Sequence, residues 1–300
     1  MSARTAASLV ASATLALALP AGAQSDLPEG PPVETFLAAC EGRDGWDDPS
    51  PPLRIFGNVY HVGTCGITVL LVASDEGHVL LDTGTAAAAS QVTANIETLG
   101  FELDDIKWIV TSHEHGDHVG GIAELKRRTG AQIASSPLAR RPLETGQTDW
   151  RDPQAGSIDP FEGAPVDRVL RNGEHLVLGP IDLTMHTTPG HAPGSTSWSW
   201  RSCEGETCRN MVYADSVSAV SADDYRFSQQ ATYVDAFARS LGKIAAAPCE
   251  ILITPHPAAS ALHERLAGTQ PLADPEACLN YALQAQSALE ARLARENPNR

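Results

Sequence analysis

The segment TSHEHGDHVGG, residues 111–121, follows directly on the apolar run KWIV and puts three of the chain's ten histidines, with an aspartate, inside six positions. Such a cluster is costly to bury and odd to expose unless a cation holds it, so it reads as a metal site. In an extended segment His113 and His115 sit two residues apart and point to one side, where both can reach one ion. Asp117 and His118 are adjacent and diverge, which lets them serve a second ion nearby. Zinc normally takes four ligands, and a catalytic zinc takes three from protein and a water, so each half of the motif is incomplete. The fold must therefore bring further ligands to residues 111–121 from distant parts of the chain.

The rest of the sequence supplies the strands to do so. ITVLLVA (67–73) and HVLLD (78–82) read as strands joined by the turn DEG, and KWIVT (107–111) as the strand that ends at the histidines. ASQVTANIETLG (89–100) has helical apolar spacing and ends at Gly100; a short helix over 122–128 and a strand AQIAS (131–135) follow. Residues 142–165 are rich in Pro, Gly and Asp and read as a long functional loop. Beyond it come the strands IDLTMHT (181–187), TSWSWR (196–201) and NMVYA (210–214), a helix near 232–246, the strand EILIT (250–254) and a helical C-terminus over 274–296. Strands dominate each half and helices separate or follow them. The expected class is α/β, with two sheets packed face to face and helices outside.

Two further histidines share the motif's local context. His191 in TTPGHAPGS follows the strand ending at Thr187, and His256 in TPHPAAS follows the strand ending at Thr254. A third strand end, YADSVS, adds Asp215, Ser216 and Ser218. If these ends share one edge of the sandwich, their loops form one pocket with six nitrogen or oxygen ligands for two ions. His61, His78, His175, His186 and His263 read as hydrogen-bonded surface residues, and Glu114 as a solvent-facing residue between ligands.

The opening residues, MSARTAASLVASATLALALPAGA, combine an early arginine, a short apolar run and Ala-Gly-Ala at 21–23. They read as a secretory signal peptide cleaved after Ala23, which leaves 24–300 as one domain. Export turns six cysteines toward disulfides, and none lies in a CxxC pair. Six allow fifteen connectivities; the simplest follows chain order, Cys40 with Cys65, Cys203 with Cys208 and Cys249 with Cys278. The formal net charge of -16 argues against nucleic acid or an anionic membrane as partner, since a broadly negative field repels both. No segment after the signal has the length and apolarity of a membrane span.

HEHGDH resembles the HxHxDH signature of the metallo-β-lactamase superfamily, and LLDTG (80–84) resembles its early aspartate-bearing strand end. With the blocks TPGHAPGSTSW, YADSVSA and TPHPAAS in order, the chain from Phe56 onward is similar to the third subclass of class B β-lactamases, the dizinc group with histidine rather than cysteine among its ligands. The resemblance implies an αββα sandwich of two mixed sheets with helices on the outer faces, and two Zn²⁺ per chain. It assigns His113, His115 and His191 to the first ion and Asp117, His118 and His256 to the second. It implies a hydroxide between the ions that attacks the lactam carbonyl of penicillins, cephalosporins and carbapenems, with Asp117 orienting it and Ser216 and Ser218 contacting the substrate carboxylate. Antibiotic resistance, a periplasmic location, a monomeric state and a disulfide like Cys249–Cys278 go with it.

Several features are particular to this chain. Lys107, Lys126 and Lys243 are its only lysines and none lies in YADSVSA, so the serines, with Arg226 nearby, take the carboxylate. Glu114 would put a negative charge at the pocket mouth, and Trp150, Ile158 and Phe161 could line an apolar wall. The alternative is another hydrolase of the superfamily, a thioesterase resembling glyoxalase II or a lactonase, which would make Asp215 a metal-bridging residue. A zinc-stabilised binding protein without catalysis would instead need closed tetrahedral sites.

Overall fold

The computed structural model describes residues 27–297, so the expected signal peptide at 1–23 lies outside the described residues. In chain order the elements are α1 (Val33–Cys40), β1 (Leu53–Phe56), β2 (Val59–His61), β3 (Leu70–Val72), β4 (His78–Leu81), α2 (Ala89–Thr98), β5 (Ile106–Val110), α3 (Gly116–Val119), α4 (Ile122–Thr129), β6 (Gln132–Ser135) and α5 (Arg140–Thr145). Then follow β7 (Arg168–Val169), β8 (His175–Leu178), β9 (Ile181–Thr187), β10 (Thr196–Glu204), β11 (Thr207–Tyr213), α6 (Ala231–Ala245), β12 (Ile251–Ile253), α7 (Leu262–Leu266) and α8 (Ala277–Glu296).

The strands form a seven-stranded sheet in the order β1 to β7 and a five-stranded sheet in the order β12-β11-β10-β9-β8. Both are mixed: β1 to β4 run antiparallel and β4 to β7 parallel, while β8 to β11 run antiparallel and β11 pairs β12 in parallel. Period-two alternation sorts their side chains into layers. Leu70, Val72, Val79 and Leu81 of the first sheet meet Met185, Trp198, Met211, Tyr213, Ile251 and Ile253 of the second in a central core. The intervening Leu71 and Leu80 face outward onto Val92 and Ile96 of α2 and Ile122 and Leu125 of α4. On the far side Val212 and Leu252 pack against Phe237, Leu241 and Ile244 of α6 and Tyr281, Ala285 and Leu289 of α8. Strands buried on both faces explain the near-continuous apolar runs, and the layers are the expected αββα sandwich.

Some elements had no local signal. Strands β1, β2, β7 and β8 and helices α1, α3, α5 and α7 are absent from the expectation, and β3 is shorter than ITVLLVA suggested. Helix α5 occupies the start of the expected 142–165 loop: Pro142 sits in its first turns, where a missing N–H costs little, and Gly146 closes it at φ +67. All six cysteines pair in chain order. Among the described residues no helix is long and apolar enough to cross a membrane.

Strands β9, β11 and β12 run in one direction within their sheet, as β4 and β5 do in theirs. Asp82, His113, His191, Asp215 and His256 each lie just past the C-terminal end of one of these strands. The shared edge that the sequence only suggested is therefore present.

Candidate metal centre

The backbone is extended at His115 and turns helical at Gly116, so His113 and His115 share a side while α3 carries Asp117 and His118 around to the other. Donor atoms of His113, His115 and His191 lie within 4.8 Å of one another, as do those of His113, Asp117 and His118. His256 completes a second trio: its Nε2 is 3.2 Å from His118 Nε2 and 3.4 Å from Asp117 Oδ2, and the latter two atoms are 3.1 Å apart.

Each histidine of the first trio is held by its outward nitrogen. His113 Nδ1–H donates to Asp215 Oδ1 at 2.8 Å, and His115 Nε2–H to Asp152 Oδ2 at 2.9 Å. His191 Nδ1–H faces the Ser218 carbonyl at 3.1 Å and its hydroxyl at 3.0 Å. These bonds set the tautomers and leave His113 Nε2 and His115 Nδ1 free, while His191 Nε2 faces the Gln154 side-chain amide at 3.5 Å. His113 Nε2 is buried with no hydrogen-bond partner. Burial, and next the neighbouring His118, hold the His113 imidazole well below its usual range, while burial and then His115 push His191 down to about 3. Three imidazoles with converging nitrogens are a donor set that zinc prefers.

The second trio is balanced differently. Burial opposes a charge on His118, but Asp117 and then Asp82 outweigh it and raise that imidazole to about 9. A proton so trapped marks a place that favours positive charge, and a metal cation would displace it. Asp82 sits at φ +64, a strained setting for a residue with a side chain, and accepts from Ser112 N–H (2.6 Å), Ser112 Oγ (2.7 Å) and Tyr213 Oη (2.6 Å), 3.8 Å from His118 Nδ1. Both trios therefore fit a divalent cation.

The two trios open into one cavity of about 600 Å³, lined by His115, Asp117, His191, Ser218 and His256 and walled by Trp46, Ile158, Phe161 and Val220. Several expectations need correction. Glu114 is neither solvent-facing nor at the mouth: it is 2% exposed, its Oε1 accepts Gly194 N–H at 2.8 Å, and burial pushes its carboxyl up to about 7. Trp150 is 80% exposed and lines other surface depressions. Ser216 is buried and is not among the cavity-lining residues, and Arg226 bonds the carbonyls of Asp223 and Tyr225 beside a different depression. His61 is fully buried rather than at the surface, and His78 is buried as well.

Asp152, Trp46 and Gln154 carried no local signal. Asp152 is one of many acids in a Pro- and Gly-rich loop, and only the folded chain sets it behind His115.

Residues 62–204 match the family description "Metallo-beta-lactamase superfamily". The structure is similar to that of the metallo-β-lactamase MIM-1 from Novosphingobium pentaromativorans, 50% identical, with a TM-score of 0.86 over 88% of this chain and 98% of that one. It is also similar to MEM-A1, a subclass B3 metallo-β-lactamase from a soil metagenome library, 39% identical, with a TM-score of 0.81 over 85% and 100%. A hydroxyacylglutathione hydrolase of Acidiphilium cryptum is 29% identical over 130 residues, 43% of this chain. The chain spans under half the length of the curated relatives it matches. The fold and the metal-ligating histidines define a metallohydrolase, and the chain belongs to the metallo-β-lactamase superfamily. Within it the resemblance is to the subclass B3 enzymes.

Proposed function

We propose that the chain is a zinc-dependent β-lactamase that hydrolyses the amide bond of penicillins, cephalosporins and carbapenems and so confers antibiotic resistance. Two Zn²⁺ per chain are held, the first by His113, His115 and His191 and the second by Asp117, His118 and His256. The observation that carries this reading is the pair of three-donor sets facing a single cavity. When bound, zinc supplies Lewis acidity and lowers the pKa of its water to about 7.

The chain's own residues do the rest. Asp117 presents a carboxylate beside both trios and orients the attacking water. Ser218, on the cavity wall, offers a hydroxyl to the substrate carboxylate, and Ser216 reaches that carboxylate through water. Trp46, Ile158, Phe161 and Val220 cover the apolar faces of the lactam and exclude bulk water. Net positive charge from two cations offset by Asp117 suits an anionic substrate in an acidic protein.

Asp215 bears on the thioesterase and lactonase alternative. It is fully buried and its Oδ1 bonds His113 Nδ1, on the side of that imidazole away from the donor atoms. A residue engaged there supports the lactamase reading over one with a bridging aspartate. Three disulfides support export to the periplasm. Among the described residues the exposed large apolar side chains, apart from Leu279 and Leu283 one turn apart on α8, are scattered over separate elements, which supports a monomer. Hydrolysis of a chromogenic cephalosporin and a carbapenem, before and after EDTA and with a thioester and a lactone alongside, tests the proposal. Chelator-sensitive lactam turnover is expected; turnover of only the thioester or lactone would overturn it.

A further inference from the structure

We infer that Glu114, a residue that donates nothing to either trio, is a positioning residue that locks the loop carrying His191 against the segment carrying His113 and His115. The inference rests on the proposed zinc reading. His191 sits in the connection between β9 and β10, and the far end of that connection is built into the neighbouring sheet edge: Thr196 N–H donates to Ser112 O at 2.6 Å. Two residues earlier, Gly194 is clamped from both sides. Its N–H donates to Glu114 Oε1 at 2.8 Å and its carbonyl accepts from Ser136 Oγ at 2.8 Å. Three segments, one with His113 and His115, one between β6 and α5 and one with His191, therefore meet at one glycine.

The close fit shows how specific the joint is. A Cβ on Gly194 would stand 2.5 Å from Glu114 Oε2 and 2.6 Å from the Ala139 backbone, so only glycine lets the carboxylate lie against the chain there. Burying a carboxylate is costly, and a side chain with no task at this position would have been cheaper as an apolar one. Glu114 and its partner N–H are both inside the protein, so breaking the bond orphans a buried donor and frees the loop that aims His191. Partners of this kind behind metal ligands typically change metal affinity by about 10- to 100-fold when removed.

The test compares Glu114→Gln, which keeps an acceptor at the same place, with Glu114→Met, which keeps the volume and the stem but has no comparable acceptor. Both are made in the full chain with His256→Ala added, so that only the three-histidine set is complete. Zinc affinity is read by competition with a chromophoric chelator, and thermal melting reports separately on folding. A purely structural role would lower the melting temperature and leave the zinc affinity of the folded protein unmoved. Glu114→Met is expected to bind zinc about 10- to 100-fold more weakly than its parent, and Glu114→Gln to stay within about threefold. Parent-like zinc affinity in Glu114→Met, or equal losses in both variants, would overturn the inference. No zinc binding by the parent would overturn the metal reading and the inference with it.

Discussion

Acid should expose the cost of His61. Its side chain is fully buried, neither ring nitrogen has a hydrogen-bond partner, and its ring lies edge-on to Phe36 at 5.1 Å between centroids. Burial, reinforced by His263, pushes the imidazole down to about 3 from an ordinary value of 6.5. The folded pKa is thus depressed below the unfolded one. Above pH 6.5 neither state is protonated and His61 costs nothing; between 6.5 and about 3 the unfolded chain binds a proton that the folded chain refuses, so stability falls as pH falls. Each pH unit in that window is worth about 1.4 kcal/mol, and the drop from pH 7.5 to 4.5 amounts to roughly 2.5 kcal/mol from this one residue. Urea unfolding of the disulfide-intact protein at both pH values, repeated on His61→Leu with zinc content matched, isolates the contribution, because the other histidines cancel in the double difference. The variant's loss of stability on acidification should be smaller by about 2.5 kcal/mol. An identical loss in parent and variant would refute the reasoning.

Other outcomes are expected. His118→Ala removes one donor of the second trio, so metal analysis should fall from two zinc ions to one and lactam turnover by about 100-fold or more. Asp152→Ala leaves His115 Nε2 without its carboxylate 2.9 Å away and should weaken zinc binding by about tenfold or more in a chelator titration, with Asp152→Asn intermediate. Trp46→Ala removes a cavity wall; with about 50 Å² of substrate surface uncovered, at about 25 cal/mol per Å², KM for cephalosporins with large apolar substituents should rise roughly tenfold while kcat holds. Replacing Cys249 and Cys278 by alanine opens a link spanning 29 residues and should cost about 3.6 kcal/mol in chemical denaturation, against about 2 kcal/mol for Cys203 and Cys208, which span 5. The reverse order would show that unfolded-chain entropy does not govern these bridges.

Much of this protein is written in short-range pattern. The run at 67–73 reads as a strand buried on both faces, because charge is missing from it and breakers bound it, while IDLTMHT at 181–187 alternates apolar and polar residues as a strand buried on one face does. A cluster as dense in imidazole as HEHGDH could only be paired with a cation, and proline- and glycine-set histidines at two more strand ends extended the set to six. What the chain could not disclose by itself is whatever depends on distance between remote segments. Glu114 looked like a solvent-facing spacer because alternation in an extended segment turns it away from the ligands; the tertiary structure turns it instead into the β9–β10 connection, where Gly194 N–H waits for an acceptor. His61 looked like a hydrogen-bonded surface histidine, yet α1 and α7 close over it with Phe36 and His263. Trp150 and Arg226 had the right chemistry for the pocket and lie elsewhere, while Trp46, from the far N-terminal side, stands against His256 at 6.0 Å. Residue type and period are local properties and survive in the sequence; which loop covers which edge is decided by how the two sheets pack, and that packing alone brought the second trio, its outer partners and the cavity walls together.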